Sequence, residues 1–285
     1  MVFAPPPPLP NIILDRIVRL ALSEDLGRAG DLTTDATIPE GTSLTAHIRA
    51  RKSGRLAGLD AASFALHCID PAVVMDIQIR DGGTLTPGDT VAVLQGSARS
   101  ILMAERTMLN FIGRLSGIAT LTAQFAERIA HTSAKIVCTR KTTPGHRAVE
   151  KRAVRCGGGT SHRYGLDDAI LIKDNHIAAC GSIADALQRA KAYAGHLRMI
   201  EIEVDTLEQL EEALKHAPHA VLLDNMEPER LRQAVDLING ACIAEASGGI
   251  TLETVAAKAE TGVDFISSGA LTHSAINLDV GLDIL

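Results

Sequence analysis

From residue 135 onward one pattern recurs: a short apolar run, a turn, then an amphipathic helical stretch. The runs are KIVCTRK from Lys135, AILIKDN from Ala169, MIEIEVD from Met199, AVLLDN from Ala220, CIAEASG from Cys242 and VDFISSG from Val263, with starts 34, 30, 21, 22 and 21 residues apart. Helical patterns fill the intervals, as in SIADALQRAKAYA, TLEQLEEALKH, EPERLRQAVDLIN and TLETVAAKAETG. Strands joined by helical crossovers pair in parallel. Runs that are apolar almost throughout are covered on both faces. Six units fall short of the eight in a closed barrel, so the expectation is an α/β protein ending in an open six-stranded α/β barrel, with a doubly wound sheet as the alternative.

The preceding half reads differently. NIILDRIVRLALSEDLG, from Asn11 to Gly27, places Ile13, Ile17, Leu20 and Leu14, Val18, Ala21 on one helical face, with Asn11 as N-cap and Gly27 as stop. Between Leu44 and Ala98, the β-prone pieces TAHIRAR, RLAGL, VVMDIQIR and TVAVLQGSA alternate with the turn clusters DGG and PGD, which suggests hairpin-rich antiparallel sheet. A long helical stretch follows from about Ser100 to Ala130, in which Gly113 and Gly117 mark a break or a close helix contact. The domain boundary is expected there. The division is a Pro-rich arm at 1–10, a first domain at 11–115 and a barrel at 116–272. The four consecutive prolines of the arm suggest a stiff, extended, poorly ordered segment.

Composition narrows the function. A chain of 285 residues, 46% hydrophobic and 22% charged, is an ordinary water-soluble globular protein. Its net charge of −6 argues against sequence-independent nucleic-acid binding, which needs a basic surface. No apolar run is long enough for a membrane helix, and the N-terminus lacks the pattern of a signal peptide. Five scattered cysteines without a C-x-x-C pair fit reduced, mostly buried thiols in a cytoplasmic protein.

Ligands of parallel α/β folds bind beyond the C-terminal ends of the strands. Those ends carry Arg140 and Lys141, Lys173 and Asp174, Glu203 and Asp205, Asp224 and Asn225, then Ser247-Gly248-Gly249 and Ser267-Ser268-Gly269. The Gly/Ser pairs leave backbone N–H groups open to a phosphate before a helix start. Glu203 and Asp224, on adjacent strand ends, suit sugar hydroxyls or hydrated Mg²⁺. From Arg140 to Asp174 the chain is +4, leaving −10 elsewhere, and concentrated positive charge draws a small polyanion. Within that stretch Arg147, Lys151 and Arg155 recur at helical spacing and can form a solvated face, whereas Arg140, Lys141, His162, Arg163 and Lys173 lie at strand ends or in the Gly-rich CGGGTSHRYG. Arg and His groups of that kind hold carboxylates by charge-assisted bonds.

The run TRKTTPGHRAVEKRAVRCGGGTSHRYGLDDAILIKDNHI, from Thr139 to Ile177, resembles the quinolinate phosphoribosyltransferase family, as do AERTMLNFIGRLSGIAT, EIEVDTLEQ, LLDNM, EASGGI and ETGVDFISSGALTHS. The resemblance covers roughly residues 12 to 285, and R-K-T-x-P-G, S-H-R and K-D-N-H in this order are specific. It implies an N-terminal α/β sandwich domain, joined by the tail at 273–285, followed by the open barrel. It also implies a homodimer, or a hexamer of dimers. The implied reaction joins quinolinate to 5-phosphoribosyl-1-pyrophosphate with Mg²⁺, giving nicotinate mononucleotide, pyrophosphate and CO₂ in NAD biosynthesis. By the same resemblance, Arg106 (from the partner subunit), Arg140, His162 and Arg163 hold the pyridine dicarboxylate, and Thr139 is a further substrate-binding residue. Lys141 and Lys173 stand near the pyridine and pyrophosphate, and Glu203 and Asp224 near the ribose and metal. Ser247, Gly248, Gly249, Ser268, Gly269 and Ala270 surround the 5-phosphate, and His273 adds a pyrophosphate contact. The Pro-rich arm, His146 and Ser161 depart from the family pattern.

Three other readings compete. An accessory phosphoribosyltransferase-like protein of molybdate transport looks similar but takes another substrate. A Schiff-base aldolase would use Lys141 or Lys173 as nucleophile and be trapped by borohydride. A phosphate-binding sensor would show no turnover.

Overall fold

The computed structural model describes residues 5–284. The first four residues of the Pro-rich arm lie outside the described residues. The helices are α1 (Asn11–Leu26), α2 (Leu32–Thr37), α3 (Leu59–Ile69), α4 (Ala98–Arg128), α5 (Arg147–Cys156), α6 (Asp174–Cys180), α7 (Ile183–Tyr193), α8 (Leu207–Lys215), α9 (Pro228–Ile238), α10 (Val255–Ala259) and α11 (Ala270–His273). The strands are β1 (Ser43–Ala50), β2 (Gly54–Arg55), β3 (Val74–Ile77), β4 (Thr84–Leu85), β5 (Thr90–Ser97), β6 (Lys135–Val137), β7 (Ile170–Ile172), β8 (Ile200–Val204), β9 (Ala220–Asp224), β10 (Ile243–Ser247), β11 (Phe265–Ser267) and β12 (Val280–Ile284). No helix among the described residues is long and apolar enough to cross a membrane.

Contacts divide the chain into unit 1, residues 1–123, 142–158 and 272–285, and unit 2, residues 124–141 and 159–271. The stretch 142–158, expected from sequence within a barrel spanning 116–272, groups with unit 1.

Unit 1 is built on an antiparallel sheet of order β12-β1-β5-β3. The piece after RLAGL differs from the strand-rich expectation: LDAASFALHCI forms α3, with Leu59, Ala61, Ala62, Phe64, Ala65 and Leu66 buried. It is apolar nearly all round, so it gives no amphipathic stripe to read. In α1 the buried stripe is Leu14, Val18 and Leu22 at i, i+4, i+8, while Ile13 and Leu20, expected on the buried face, are exposed. Pro10, rather than Asn11, occupies the cap.

The long helix α4 is unbroken. Gly113 and Gly117 are contact glycines, because a Cβ at Gly117 would stand 2.1 Å from the Ile276 carbonyl oxygen and one at Gly113 3.0 Å from that of Leu278. The returning tail thus lies directly on the helix backbone, and Leu278 N–H donates to the Gly113 carbonyl at 2.9 Å. Arg114, one residue on, donates to the carbonyls of Thr272 and Ala275 and to Glu150 Oε1.

The helix α5 overturns only part of the solvated-face reading of Arg147, Lys151 and Arg155: Lys151 is buried, Arg147 half-buried and Arg155 exposed, and the neighbouring Glu150 and Arg152 are buried as well. Arg152, 8% exposed, reaches Asp81 Oδ2 at 2.5 Å and Asp60 Oδ2 at 3.2 Å. It also donates to the carbonyls of Pro7 at 3.0 Å and Pro6 at 3.4 Å, while Leu9 N–H donates to Asp60 at 2.9 Å. Residues 5–10 of the arm are therefore held by specific bonds, and Pro6 is buried, against the expectation of a poorly ordered segment. In the same environment burial pushes the Cys156 thiol up to about 12.

Unit 2 contains the six parallel strands in the order β6-β11-β10-β9-β8-β7. Read as a ring, this order lacks only the β6 to β7 pairing, which makes the open barrel. Each expected strand and each expected helix is present. None of the five cysteines forms a disulfide; Cys138 and Cys156 are buried and Cys68, Cys180 and Cys242 half-buried.

Candidate functional site

Register decides which side chains of unit 2 can meet. Along β8, Ile200, Ile202 and Val204 share one face and Glu201 and Glu203 the other, because side chains alternate. Parallel pairing sets Leu171 beside Glu201, Glu201 beside Ala220 and Glu203 beside Leu222. It continues with Leu222 beside Glu245, Asp224 beside Ser247 and Glu245 beside Phe265, and Ser267 beside Val137. One face of the sheet therefore carries Glu201, Glu203, Asp224, Glu245, Ser247 and Ser267, with Lys173 and Thr139 two residues beyond Leu171 and Val137. This face is concave. Strands two apart in a flat sheet lie about 9.5 Å from each other, yet carboxylate oxygens of Glu201 on β8 and Glu245 on β10 come within 4.8 Å.

At the rim, Lys173 Nζ is bonded to Glu203 Oε2, with the lysine side chain 44% exposed and that of Glu203 13%. Lys173 also caps α6, where the backbone N–H of Lys173 donates to His176 Nδ1 at 3.0 Å. Asp224 accepts from the Asn225 side-chain amide at 2.6 Å, and Asn225 takes the left-handed backbone at φ 53. Lys141 is exposed, and its N–H donates to Thr139 Oγ1 at 3.0 Å. Arg140 and Arg163 are half-buried. Burial pulls the Arg163 guanidinium below its ordinary value and the neighbouring Arg140 adds to this, while Glu201 and Asp168 oppose it.

The Gly/Ser turns form a second part of the rim. Gly248 and Gly249 both have positive φ, 84 and 58. A Cβ at Gly248 would fall 2.1 Å from Asn225 Oδ1, whereas at Gly249 it would meet nothing within 4 Å. Two successive positive-φ glycines make a tight turn, and no side chain covers the backbone at Gly249, where an anion can approach closely. A turn over residues 252–254 separates Gly249 from α10, and Val255 N–H donates to the Thr251 carbonyl at 3.0 Å, so the expected helix starts a few residues after this turn rather than directly at it. The second turn does run directly into α11 at Ala270, with Gly269 half-buried before it and Ser268 N–H bonded to the Val137 carbonyl at 3.0 Å.

Sequence reasoning missed Lys258, Glu201 and Glu245. Buried Lys258 donates to the Met226 carbonyl at 3.0 Å and to that of Gly248 at 3.4 Å, tying together the ends of β9 and β10, and burial lowers its pKa. Burial, then the adjacent Glu201, push the Glu245 carboxyl up to about 7. The signal for both acids lay in the alternation of IEIEV and IAEAS, whose acidic positions share the period of the strand-end residues. Two expected residues belong to unit 1: Arg106 is exposed on α4, and His273 ends α11, its Nδ1 2.7 Å from Ser274 Oγ.

The quinolinate phosphoribosyl transferase N-terminal domain matches residues 31–116 and the C-terminal domain of the same enzyme residues 118–283. The nicotinate-nucleotide pyrophosphorylase [carboxylating] of Mycobacterium leprae is 46% identical over 273 residues, covering 94% of this chain and 95% of its own. A protein of Bacillus subtilis described as a probable enzyme of the same name is 44% identical over 274 residues, covering 96% and 94%. Among solved structures, the nicotinate-nucleotide pyrophosphorylase of Francisella tularensis superposes with a TM-score of 0.93 at 39% identity, covering 97% of this chain and 98% of its own.

Proposed function

The chain belongs to the quinolinate phosphoribosyltransferase family, and from that membership we propose that it joins quinolinate to 5-phosphoribosyl-1-pyrophosphate, releasing pyrophosphate and CO₂ and forming nicotinate mononucleotide for NAD biosynthesis. The observation that carries this reading is the convergence, on one concave sheet face, of the Lys173–Glu203 pair with Asp224 and Ser247 side by side in register.

The reaction asks for charge of both signs at short range. As pyrophosphate leaves C1 of the ribose, negative charge grows on the leaving group and positive charge on the ribose ring. Lys173 and Lys141 suit the first, and the carboxylates of Glu203 and Asp224 the second. The open backbone turn at Gly248 and Gly249, with Ser247, Ser268, Gly269 and Ala270, suits the 5-phosphate. Arg140, His162 and Arg163 suit the acceptor's two carboxylates, and Thr139 lies beside them as a further substrate-binding residue. The pyridine nitrogen bonds to C1. When the C2 carboxylate departs as CO₂ its bonding pair stays on C2, stabilised by the adjacent positive pyridinium nitrogen, and C2 then gains a proton. The protein's part is positioning and charge.

Glu203 and Asp224 offer hard oxygen donors of the kind Mg²⁺ prefers. Lys173 engages one Glu203 oxygen, which suits an ion that keeps water and phosphate oxygens for most of its shell. Bound there, Mg²⁺ would neutralise charge on the pyrophosphate. We place the enzyme in the cytoplasm as a homodimer in which Arg106 serves the neighbouring site and His273 adds a pyrophosphate contact.

Incubation with quinolinate, phosphoribosyl pyrophosphate and Mg²⁺ should release CO₂ and form the mononucleotide, and Glu203→Ala and Lys141→Ala should each abolish most of that turnover in a folded protein. Absence of product from the wild type, or near-normal rates in both variants, refutes the assignment. Inactive Arg106→Ala protein mixed with inactive Lys173→Ala protein should regain part of the activity through hybrid dimers, and no recovery despite subunit exchange refutes the shared site.

A further inference from the structure

Below the rim, His162 sits between two acids that the proposed reaction does not use. Its Nδ1 accepts the Arg163 backbone N–H at 2.7 Å, and an amide N–H can only donate. The proton of the neutral ring is therefore on Nε2. That nitrogen stands 3.2 Å from Glu201 Oε2 and 3.5 Å from Glu245 Oε1. The three groups are spaced as metal ligands would be, all within 4.8 Å. A protonated Nε2 cannot ligate a metal, so the arrangement suits a ring held by carboxylates. Glu245 is 6% exposed, and its Oε1 has no hydrogen-bond partner among the described residues although it faces the same Nε2–H.

The next residue explains why the ring matters. Arg163 donates from Nη1 to the Ala169 carbonyl at 3.1 Å and lies in the repulsive field of Arg140. Two guanidinium groups meant for neighbouring carboxylates repel each other until a ligand arrives, and nearby buried negative charge offsets that repulsion. Glu201 acts on both members of the pair of residues, through the ring of His162 and through the field at Arg163.

Resting on the phosphoribosyl-transfer reading, we propose that Glu201 and Glu245 are positioning residues for the dicarboxylate end of the site: Glu201 faces the His162 Nε2–H at 3.2 Å with Glu245 behind it at 3.5 Å, and the ring they orient sets, through the backbone bond to Nδ1, where Arg163 stands. Neither acid touches substrate. Their effect is on the acceptor, since the groups they hold are those suited to its carboxylates, whereas the residues suited to the 5-phosphate and ribose lie two or more positions further along β8 and β10, at the rim.

Glu201→Gln and Glu245→Gln keep the side-chain shape and remove the carboxylate, and the kinetics are measured above pH 7, where folded Glu245 is ionised. Each should raise the KM for quinolinate by about tenfold or more, leave the KM for phosphoribosyl pyrophosphate unchanged, and move the His162 ring-nitrogen signals in a long-range ¹H–¹⁵N spectrum away from the pure Nε2–H pattern of the wild type. An unaltered quinolinate KM with unaltered ring signals overturns the proposal, as does an equal rise in both KM values. Should a variant fail to fold, the wild-type spectrum decides: a ring protonated on Nδ1 at neutral pH overturns it, and one protonated on Nε2 alone upholds it. A wild type without turnover would sink the transferase reading, while the ring signals would still report on the two acids.

Discussion

The basic stretch from Arg140 to Asp174 divides in the folded chain into two charge clusters that are balanced in different ways. Around Arg152 in unit 1, the guanidinium is buried and every partner seen is protein: Asp60, Asp81 and the carbonyls of Pro6 and Pro7. Around Lys173 in unit 2, the ammonium is 44% exposed, and Lys141 and the turn at Gly249 are open as well. Local net charge thus says little about where a ligand goes. What separates a structural cluster from a binding one is whether the protein itself has saturated the charges: the Arg152 guanidinium is buried against carboxylates, whereas Lys141 and Lys173 at the strand ends face solvent.

The sharpest break of this contrast is a pair of deletions. Lys173→Met should lower kcat by about a hundredfold or more with little change in Tm, because the Glu203 carboxylate it leaves can still be hydrated through the open rim. Arg152→Ala should do the reverse. It strands Asp60 and Asp81 in the interior, at about 3–5 kcal/mol for breaking a buried charge pair from one side, while the protein that stays folded keeps a near-normal KM. Urea unfolding and steady-state kinetics on both variants measure the cross. A stability loss in Lys173→Met as large as that in Arg152→Ala would erase the distinction.

How much of this was legible beforehand follows from the same contrast. The six strands and their helices could be read because each is a local pattern, and the strand-end residues followed from the general rule for parallel sheets. The partners of Arg152 could not, since Asp60 and Asp81 lie 92 and 71 residues away along the chain and only tertiary packing joins them to α5. Glu201 and Glu245 were hidden for another reason. Within IEIEV and IAEAS they resemble ordinary alternation, and their meeting depends on sheet curvature bringing together strands two apart. The helix α3 escaped because it is buried on most sides, and sequence periodicity reports only elements with one wet face.

The acids of unit 2 give a smaller test. Glu245 keeps its proton up to about pH 7 when folded, because burial and then Glu201 disfavour its charge, whereas in the unfolded chain it ionises near 4.5. Between these values the folded state holds the extra proton, so stability attributable to this group is full below the lower pKa and is lost as pH rises toward the upper one. The slope should be on the order of 1 kcal/mol per pH unit across that window. Glu245→Gln should flatten it. A wild-type stability curve that rises from pH 5 to pH 7, with the variant parallel to it, would contradict this.

The smallest effect separates the arm from the cluster it covers. A polyproline segment has no internal hydrogen bonds, so its carbonyls remain available as acceptors. Here those of Pro6 and Pro7 take N–H groups of Arg152, while Leu9 N–H reaches Asp60. Removing residues 1–9 should therefore cost about 1 kcal/mol. That is far less than Arg152→Ala, because water can replace backbone acceptors at a newly opened surface while Asp60 and Asp81 keep their cation. Truncation in the Arg152→Ala background should cost less still, since the donors to Pro6 and Pro7 are already gone. Measured by urea unfolding of the four proteins, equal truncation costs in both backgrounds would mean that Arg152 does not hold the arm, and that its partners are the two carboxylates alone.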